Sequence, residues 1–137
     1  MALLRYLFQS IKERPYDVDT RRVLYLNTPE FLDSLRRSMN NPDKDLDNLL
    51  TEMVSIELAP KLMVFDDIGA ERPSDWVQER LYSIINFRVG NNLANIFTSN
   101  CSLDEIAKSL GSRIHSRILG CARPIQLTGK DNRGCTW

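Results

Sequence analysis

The sequence is poor in the residues that build metal or disulfide frameworks. Its 137 residues include a single histidine, His115, and three cysteines, Cys101, Cys121 and Cys135. The cysteines are odd in number and show no C-x-x-C spacing, so free thiols in a reducing cytoplasm are the simpler interpretation. Three scattered cysteines and one histidine are also too few for a comfortable zinc site.

Long apolar runs, repeats and low-complexity tracts are missing as well. No run approaches the roughly 18 residues that span a bilayer. The apolar start "MALLRYLFQS" has no small-residue cleavage site and is typical of a helix instead of a signal peptide. We therefore expect a cytoplasmic protein with no membrane partner, folded as one domain over 1–137.

The net charge is zero, but the charges are unevenly distributed along the chain. Residues 40–75 carry nine acids and three bases, whereas residues 108–137 carry six bases and one acid. This asymmetry suits a head-to-tail assembly or an anionic ligand. Two separately solvated surfaces give the same pattern, and charge alone favours that reading.

Hydrophobic periodicity predicts helices that alternate with strands, and hence an α/β fold with a parallel sheet. The predicted strands are 21–27, 61–65, 94–100 and 123–129. The predicted helices are 3–13, one from Thr28 through Met39, 44–58, one opening at "RPSDW", one behind the capping box Ser102–Glu105, and 112–119. Thr28 is expected to cap its helix, and Met39, Val54 and Leu58 are expected to face inward.

The stretch "LMVFDDIGAE" ends an apolar strand with two adjacent carboxylates, Asp66 and Asp67. Such a pair is typical of nucleotide hydrolases, in which the first acid holds Mg²⁺ beside the phosphates and the second polarises the attacking water. Alternatively, Asp67 caps the following turn or pairs with Arg72 or Arg113. Taken alone, the strand does not separate these interpretations.

Polar residues further along the chain favour the nucleotide interpretation. Asn100 lies at the end of the next predicted strand and can hydrogen-bond the attacking water or a terminal phosphate, although capping the following helix is its alternative role. Arg113 and Arg117 lie four residues apart on one helix face, where one of them can reach a neighbouring subunit's phosphate, although a surface salt bridge is the commoner role of an arginine. Arg133 follows the last predicted strand and can reach phosphates of its own subunit.

Three segments closely resemble the AAA+ ATPase domain of the bacterial helicase loaders, the DnaC/DnaI group, with IstB-like proteins as near relatives. They are "LMVFDDIGAERPSDWVQERLYSIINFR", "IFTSNCSLDEIAKSLGSRIHSRIL" and "LTGKDNR". The resemblance implies a three-layer P-loop NTPase fold with Asp66 and Asp67 as the Walker B pair and Asn100 as sensor 1. It implies Arg117 as arginine finger with Arg113 as its companion.

By the same resemblance, Arg133 has a sensor-2-like role, with Asn132 where the family has an aromatic residue. No G-x-x-x-x-G-K-[ST] loop occurs, and "MALLRYLFQS" resembles the helix that follows that loop. We therefore expect a truncated domain that lacks the first strand and Walker A. Without that loop, ATP and Mg²⁺ are expected to bind weakly or not at all.

The resemblance implies an ATP-dependent helicase loader that works with a replicative helicase, single-stranded DNA and copies of itself. Arg36, Arg37, Lys44 and the helix at 44–58 are candidate DNA contacts, although that helix is acidic. An IstB-like transposition helper shares the same chemistry. A non-catalytic AAA+-derived adaptor is the alternative that the missing loop favours. A phosphoreceiver domain is excluded because "NIFTSN" carries no acceptor aspartate.

Overall fold

The computed structural model describes residues 23–70 and 72–127. These ranges contain three strands and five helices: β1 (Val23–Asn27), α1 (Thr28–Ser38), α2 (Lys44–Met53), β2 (Leu62–Asp66), α3 (Asp75–Gly90), β3 (Ala94–Phe97), α4 (Leu103–Leu110) and α5 (Ser112–Cys121). The helix predicted at 3–13 lies outside the described residues.

The strands form a parallel sheet in the order β1-β2-β3. Leu26, Phe65 and Phe97 share one row of this sheet, and the rings of Phe65 and Phe97 stack with centroids 5.0 Å apart. Parallel strands need crossover connections, which the helices between them supply. The predicted α/β fold with a parallel sheet is therefore confirmed.

One hydrophobic core joins this face of the sheet to the helices. Its members from the strands are Leu26, Met63 and Phe65, and its members from the helices include Leu35, Met53, Leu81, Ile85, Ile106, Leu110, Ile114 and Ile118. The apolar stripes predicted from 3.6-residue spacing supply most of these side chains. None of the described helices is both long enough and apolar enough to cross a bilayer.

The caps of two helices test the sequence interpretation in opposite ways. The predicted box at α4 is present: Ser102 Oγ accepts from the backbone N–H of Glu105, while the Glu105 carboxylate accepts from the backbone N–H of Ser102. The predicted cap of α1 is wrong. Asn27, not Thr28, accepts from the backbone N–H of Glu30, and among the described residues the buried Thr28 hydroxyl has no hydrogen-bond partner.

Three apolar side chains predicted to face inward lie on the surface instead. The helix predicted over 44–58 ends at Met53, so the helical period that would turn Val54 and Leu58 toward the core is broken there. Met39 is the C-terminal cap of α1 and is also exposed. The apolar spacing in the sequence continues past the true ends of both helices. The spacing alone therefore does not show where each helix stops.

The predictions for the last two strands need correction. Residues 123–127 form no strand, and Ile125 and Leu127 are 78% and 89% exposed, while residues 128 and 129 lie outside the described ranges. The strand predicted over 94–100 as buried ends at Phe97 and is exposed to partly buried. Among the described residues β3 pairs with β2 alone, so it forms an edge of the sheet.

A buried arginine fastens the amino ends of β2 and β3. Arg88, near the end of α3, is fully buried. Its guanidinium donates to Asn95 Oδ1 at 2.6 Å, to the Pro60 carbonyl at 2.8 Å and to the Ala94 carbonyl at 2.6 Å. Burial lowers the pKa of Arg88 to about 10, which leaves it charged at neutral pH.

Candidate functional site

The polar residues after β2 and β3 meet at the carboxyl edge of the sheet, where ligands of open α/β folds bind. The backbone N–H of Thr98 donates to the Phe65 carbonyl at 3.0 Å, and the N–H of Ile68 donates to the Thr98 carbonyl at 2.9 Å. These bonds continue the pairing of the two strands for one more step. They bring Asp66, Asp67 and the segment 98–100 together.

The Asp66 carboxylate accepts a hydrogen bond on each oxygen. Thr98 Oγ1 donates to Oδ1, and the Tyr25 hydroxyl donates to Oδ2 at 2.5 Å. Burial raises the pKa of Asp66, but the hydrogen bonds from Thr98 and Tyr25 outweigh it and hold the pKa below its usual value. Asp66 is therefore an ionised and firmly oriented carboxylate.

Tyr25 is a residue of this site that the sequence interpretation missed. In the parallel register, Tyr25 lies opposite Val64 and Asn27 lies opposite Asp66, so Tyr25 and Asp66 are diagonal neighbours on the same face of the sheet. The hydrogen bond to Asp66, with burial second, raises the pKa of Tyr25 to about 12. Aligning the ends of the two predicted strands was the one sequence signal available for this contact.

The Asp67 carboxylate is presented by an unusual backbone conformation. Its φ of 57° lies in the left-handed region, which residues other than glycine rarely adopt, although Asp does so more often than most. Its N–H donates to Thr98 Oγ1 at 3.0 Å, and Asn100 Nδ2 donates to its Oδ1 at 2.9 Å. The structure therefore brings together three predicted site residues, Asp66, Asp67 and Asn100.

Contacts with neighbouring segments hold the turn that follows Asp67 in the sequence. Ser99 Oγ donates to the Ile68 carbonyl at 2.5 Å, and the Ile68 side chain is buried. Gly69 has a φ of 93°, and a Cβ at this position would lie 2.8 Å from Cγ1 of Ile106 on α4. The turn accepts only glycine here, both for backbone conformation and for its close approach to α4.

The two predicted arginines lie apart from the carboxylates, on α5 against α3. Arg113 pairs with Glu79 at 2.5 Å, and its guanidinium carbon lies 4.0 Å from the centre of the Tyr82 ring. Arg117 is exposed one turn further along α5. Within residues 23–70 and 72–127, no hydrogen bond or ion pair joins either arginine to Asp66, Asp67 or Asn100.

The structure distinguishes some of the alternatives raised for single residues. In the described part of the chain, Asp67 has no ion pair with Arg72 or Arg113. Arg113 instead forms a surface ion pair with Glu79, which is the commoner role of an arginine. Arg133 lies outside the described residues. Its role stays a prediction.

The candidate DNA contacts are on the surface but locally compensated. Arg36 and Arg37 are exposed, and both lie within ion-pair distance of Asp33, at 3.4 and 3.2 Å. Lys44 is exposed at the start of α2, whose first turn holds Asp45 and Asp47. Because neighbouring carboxylates balance these positive charges, this surface would attract a phosphate backbone only weakly.

The carboxylates suit a divalent cation that is bound mostly through other ligands. No group of three or more histidine, cysteine or acidic side chains in the described ranges can surround a metal ion. Mg²⁺, however, is commonly held by one or two carboxylates together with waters and substrate phosphates. Ionised Asp66 at the end of a rigid strand fits that use.

Two curated proteins of one organism are similar to this chain. The chain is 26% identical over 144 residues to the replicative helicase loader DnaI of Bacillus subtilis (strain 168), covering 96% of this chain and 43% of that relative. It is 31% identical over 85 residues to the uncharacterized protein YqaM of the same organism, covering 56% of this chain and 27% of YqaM. No family model matches the chain.

Two solved structures share the fold. The crystal structure of the DnaC helicase loader superposes with a TM-score of 0.62 and 26% identity, covering 88% of this chain and 68% of that one. A DNA replication initiation factor superposes with a TM-score of 0.64 and 19% identity, covering 86% of this chain and 33% of that one, which bears on the fold alone.

The fold therefore matches part of an AAA+ P-loop NTPase domain. More closely, the chain is homologous to the helicase loaders of the DnaC/DnaI group, whose members are nucleotide-binding proteins, and the resemblance noted in the sequence is confirmed. The chain spans less than half the length of the curated relatives it matches. The roles of the individual site residues stay predictions.

Proposed function

We propose that this chain supplies the hydrolytic part of an ATP-dependent helicase loader. The observation that supports this most directly is the cluster at the carboxyl edge of the sheet, in which Thr98 joins Asp66 to Asp67 and Asn100 donates to Asp67. It joins two carboxylates and one amide at a place where ligands of such sheets collect. The similarity to DnaI and to the DnaC structure supports the loader function over other ATPases.

Each residue of the cluster has a distinct part in this proposal. Asp66 is the residue that would hold Mg²⁺, which supplies charge neutralisation at the phosphates. Asp67 accepts the proton of the attacking water, since Asn100 occupies only one of its carboxylate oxygens. Asn100 orients both the Asp67 carboxylate and the water.

The arginines act across a boundary between two copies of the chain. In the described residues no hydrogen bond or ion pair joins them to Asp66 or Asp67, and Arg117 is exposed. An exposed arginine can neutralise charge on a phosphate held by an adjacent subunit, which is the arrangement of an arginine finger. Head-to-tail assembly therefore belongs to the proposal, as does the phosphate contact of Arg133.

The partners and cofactors follow from the loader function. They are ATP, Mg²⁺, a replicative helicase and single-stranded DNA, in the cytoplasm. The 137 residues contain no Walker A loop, and such a loop's backbone amides and lysine hold most of the phosphate charge. A non-catalytic adaptor that uses the exposed Arg117 at an interface between subunits is the second candidate.

The deciding experiment is ATP binding and hydrolysis with Mg²⁺, measured on the chain and on the same reading frame extended upstream in its gene. For an ATPase, we expect Asp67→Asn and Arg117→Ala to lose hydrolysis while fluorescent ATP still binds. Arg80→Ala, an exposed arginine that stacks on Trp76, is the matched control and should keep full turnover. A folded protein that is silent in both lengths would support the adaptor.

A further inference from the structure

The Asp66 carboxylate is held from both neighbouring strands of the sheet. β2 lies between β1 and β3 in the strand order. From β1, the Tyr25 hydroxyl donates to Oδ2 at 2.5 Å, and from the residue directly after β3, Thr98 Oγ1 donates to Oδ1. Two segments that are distant in the sequence therefore set the plane of this carboxylate.

A donor on each oxygen removes a freedom that an aspartate side chain normally keeps. The last torsion of aspartate is broad, so a carboxylate held at one oxygen still rotates. An ionised carboxylate accepts about four hydrogen bonds, which leaves about two lone pairs of Asp66 open after Tyr25 and Thr98 have taken one each. Because Mg²⁺ requires near-ideal octahedral geometry, lone pairs with a fixed direction suit it or its bound waters.

The two donors differ in what else they hold. Thr98 Oγ1 also accepts from the N–H of Asp67 at 3.0 Å, so it belongs to the turn as much as to the Asp66 carboxylate. In the described part of the chain, the Tyr25 hydroxyl has one hydrogen bond, and that bond goes to Asp66. The loss of this hydroxyl would therefore change the Asp66 carboxylate and leave the contacts of Asp67 in place.

We propose that Tyr25 is a positioning residue that orients the Asp66 carboxylate toward the divalent cation of the nucleotide. Tyr25 acts through Asp66 and not by contact with the cation. Groups that hydrogen-bond to a metal ligand fix its orientation, and their loss commonly weakens metal binding by about 10- to 100-fold. We expect the low end, about tenfold, because Thr98 continues to hold the other oxygen. This inference rests on the proposed function, which assigns the cation to Asp66.

Binding of the metal alone tests this role without turnover. Mn²⁺, which suits the same oxygen ligands as Mg²⁺, is titrated into the isotope-labelled chain, and its paramagnetic broadening of the Asp67 and Thr98 amide signals is measured by NMR. We expect Tyr25→Phe to need about tenfold more Mn²⁺ for the same broadening. Tyr82→Phe, which removes a hydroxyl that donates to Asn86 within α3, is the matched control and should need the same amount as the unaltered chain.

The outcomes separate the inference from the proposed function. Unchanged broadening in Tyr25→Phe, while Asp66→Asn loses it, overturns the positioning role and leaves the metal role of Asp66 intact. Broadening of Tyr25→Phe at lower Mn²⁺ also overturns it, because the hydroxyl would then compete with the cation for Asp66. If Asp66→Asn and the unaltered chain behave alike, the cation does not depend on Asp66, and that part of the proposed function fails together with the inference.

The Mg²⁺ dependence of turnover distinguishes positioning from a structural role in the assay described above. With Tyr25→Phe, we expect the Mg²⁺ concentration for half-maximal hydrolysis to rise about tenfold, while turnover at saturating Mg²⁺ stays close to that of the unaltered protein. Turnover that is lowered equally at every Mg²⁺ concentration would mean that the hydroxyl only stabilises the fold, which overturns the inference.

A measurement on the unaltered chain covers the case in which Tyr25→Phe loses its circular dichroism signal. The chemical shift of the tyrosine ring carbon that carries the hydroxyl is followed as Mg²⁺ is added. We expect the Tyr25 signal to move, because its acceptor Asp66 engages the cation, and the Tyr82 signal to stay in place. A Tyr25 signal that does not move overturns the inference.

Discussion

The two ends of the sheet join β2 to β3 with different chemistry. At the amino end, buried Arg88 donates to three neutral acceptors. Because its guanidinium is fully buried, a ligand from solvent cannot reach it. At the carboxyl end, Asp66 and Asp67 carry negative charge, and both are only partly buried. The first arrangement is closed and stabilises the fold, whereas the second keeps charged oxygens within reach of solvent.

This difference in burial predicts that the loss of a polar side chain has different effects on stability at the two ends of the sheet. A buried donor that satisfies three acceptors is costly to remove, because each acceptor left unpaired loses its hydrogen bond without regaining water. A partly exposed carboxylate recovers water when a partner is lost. We therefore expect substitutions at the amino end to change stability most, and substitutions at the carboxyl end to change activity more than stability.

Arg88→Met should have the largest effect on stability. It removes the donors to Pro60, Ala94 and Asn95, and we expect a loss of about 3–4 kcal/mol in the free energy of unfolding, measured by urea denaturation. Arg80→Met is the matched control, since Arg80 is exposed, and should cost less than about 1 kcal/mol. Equal losses in the two variants would show that the hydrogen bonds of buried Arg88 do not stabilise this end of the sheet.

Thr98→Val should have the next largest effect. The hydroxyl donates to Asp66 and accepts from the Asp67 N–H, so its removal affects both acids, and we expect about 1–2 kcal/mol. Thr51→Val removes an exposed hydroxyl that bonds only within α2, and should cost less than about 0.5 kcal/mol. Thermal and urea denaturation of both variants give the comparison.

The Tyr25–Asp66 contact can be isolated by a double-mutant cycle. With Tyr25→Phe, Asp66→Asn and the double variant, we expect a coupling energy of about 1 kcal/mol, because the bond is short but only partly buried. Coupling near zero would show that the two groups are solvated independently. In that case Tyr25 would not belong to the site.

The smallest expected effect is the pH dependence of the α4 cap. Hydrogen bonds from the backbone and then the side chain of Ser102 lower the pKa of Glu105. A lowered pKa in the folded state means that the cap stabilises the fold above the unfolded carboxyl pKa of about 4.3 and loses that contribution as the pH falls through the folded value. Glu105→Gln should flatten the fall in stability in this range, measured by denaturation at pH values within about two units of the unfolded carboxyl pKa. An unchanged slope would contradict it.

Features with a strong local cause were predictable. The capping box at Ser102 depends on residues three apart, and the apolar runs that became β1 and β2 have strand length. The proximity of Asp66, Asp67 and Asn100 followed from one rule, that parallel strands end at the same edge. These predictions need only the order of residues along the chain.

Features that depend on distant neighbours were missed or wrong. Arg88 lies on an apolar helix stripe, and its partners at positions 60, 94 and 95 are brought near only by the crossover. The strand predicted over 123–129 had the right composition, but a strand also requires a neighbour to pair with, and residues 123–127 have none in the described part of the chain.

The sequence by itself therefore determined the α/β class, the resemblance to helicase loaders and the identity of the candidate carboxylates. These depend on periodicity and on local motifs, which act over a few residues. Only the tertiary structure decided that Tyr25 binds Asp66, that Glu79 neutralises Arg113 and that the Tyr82 ring packs against Arg113. These contacts span 31 to 41 residues in sequence, and their formation depends on strand register and helix packing, which no local pattern encodes.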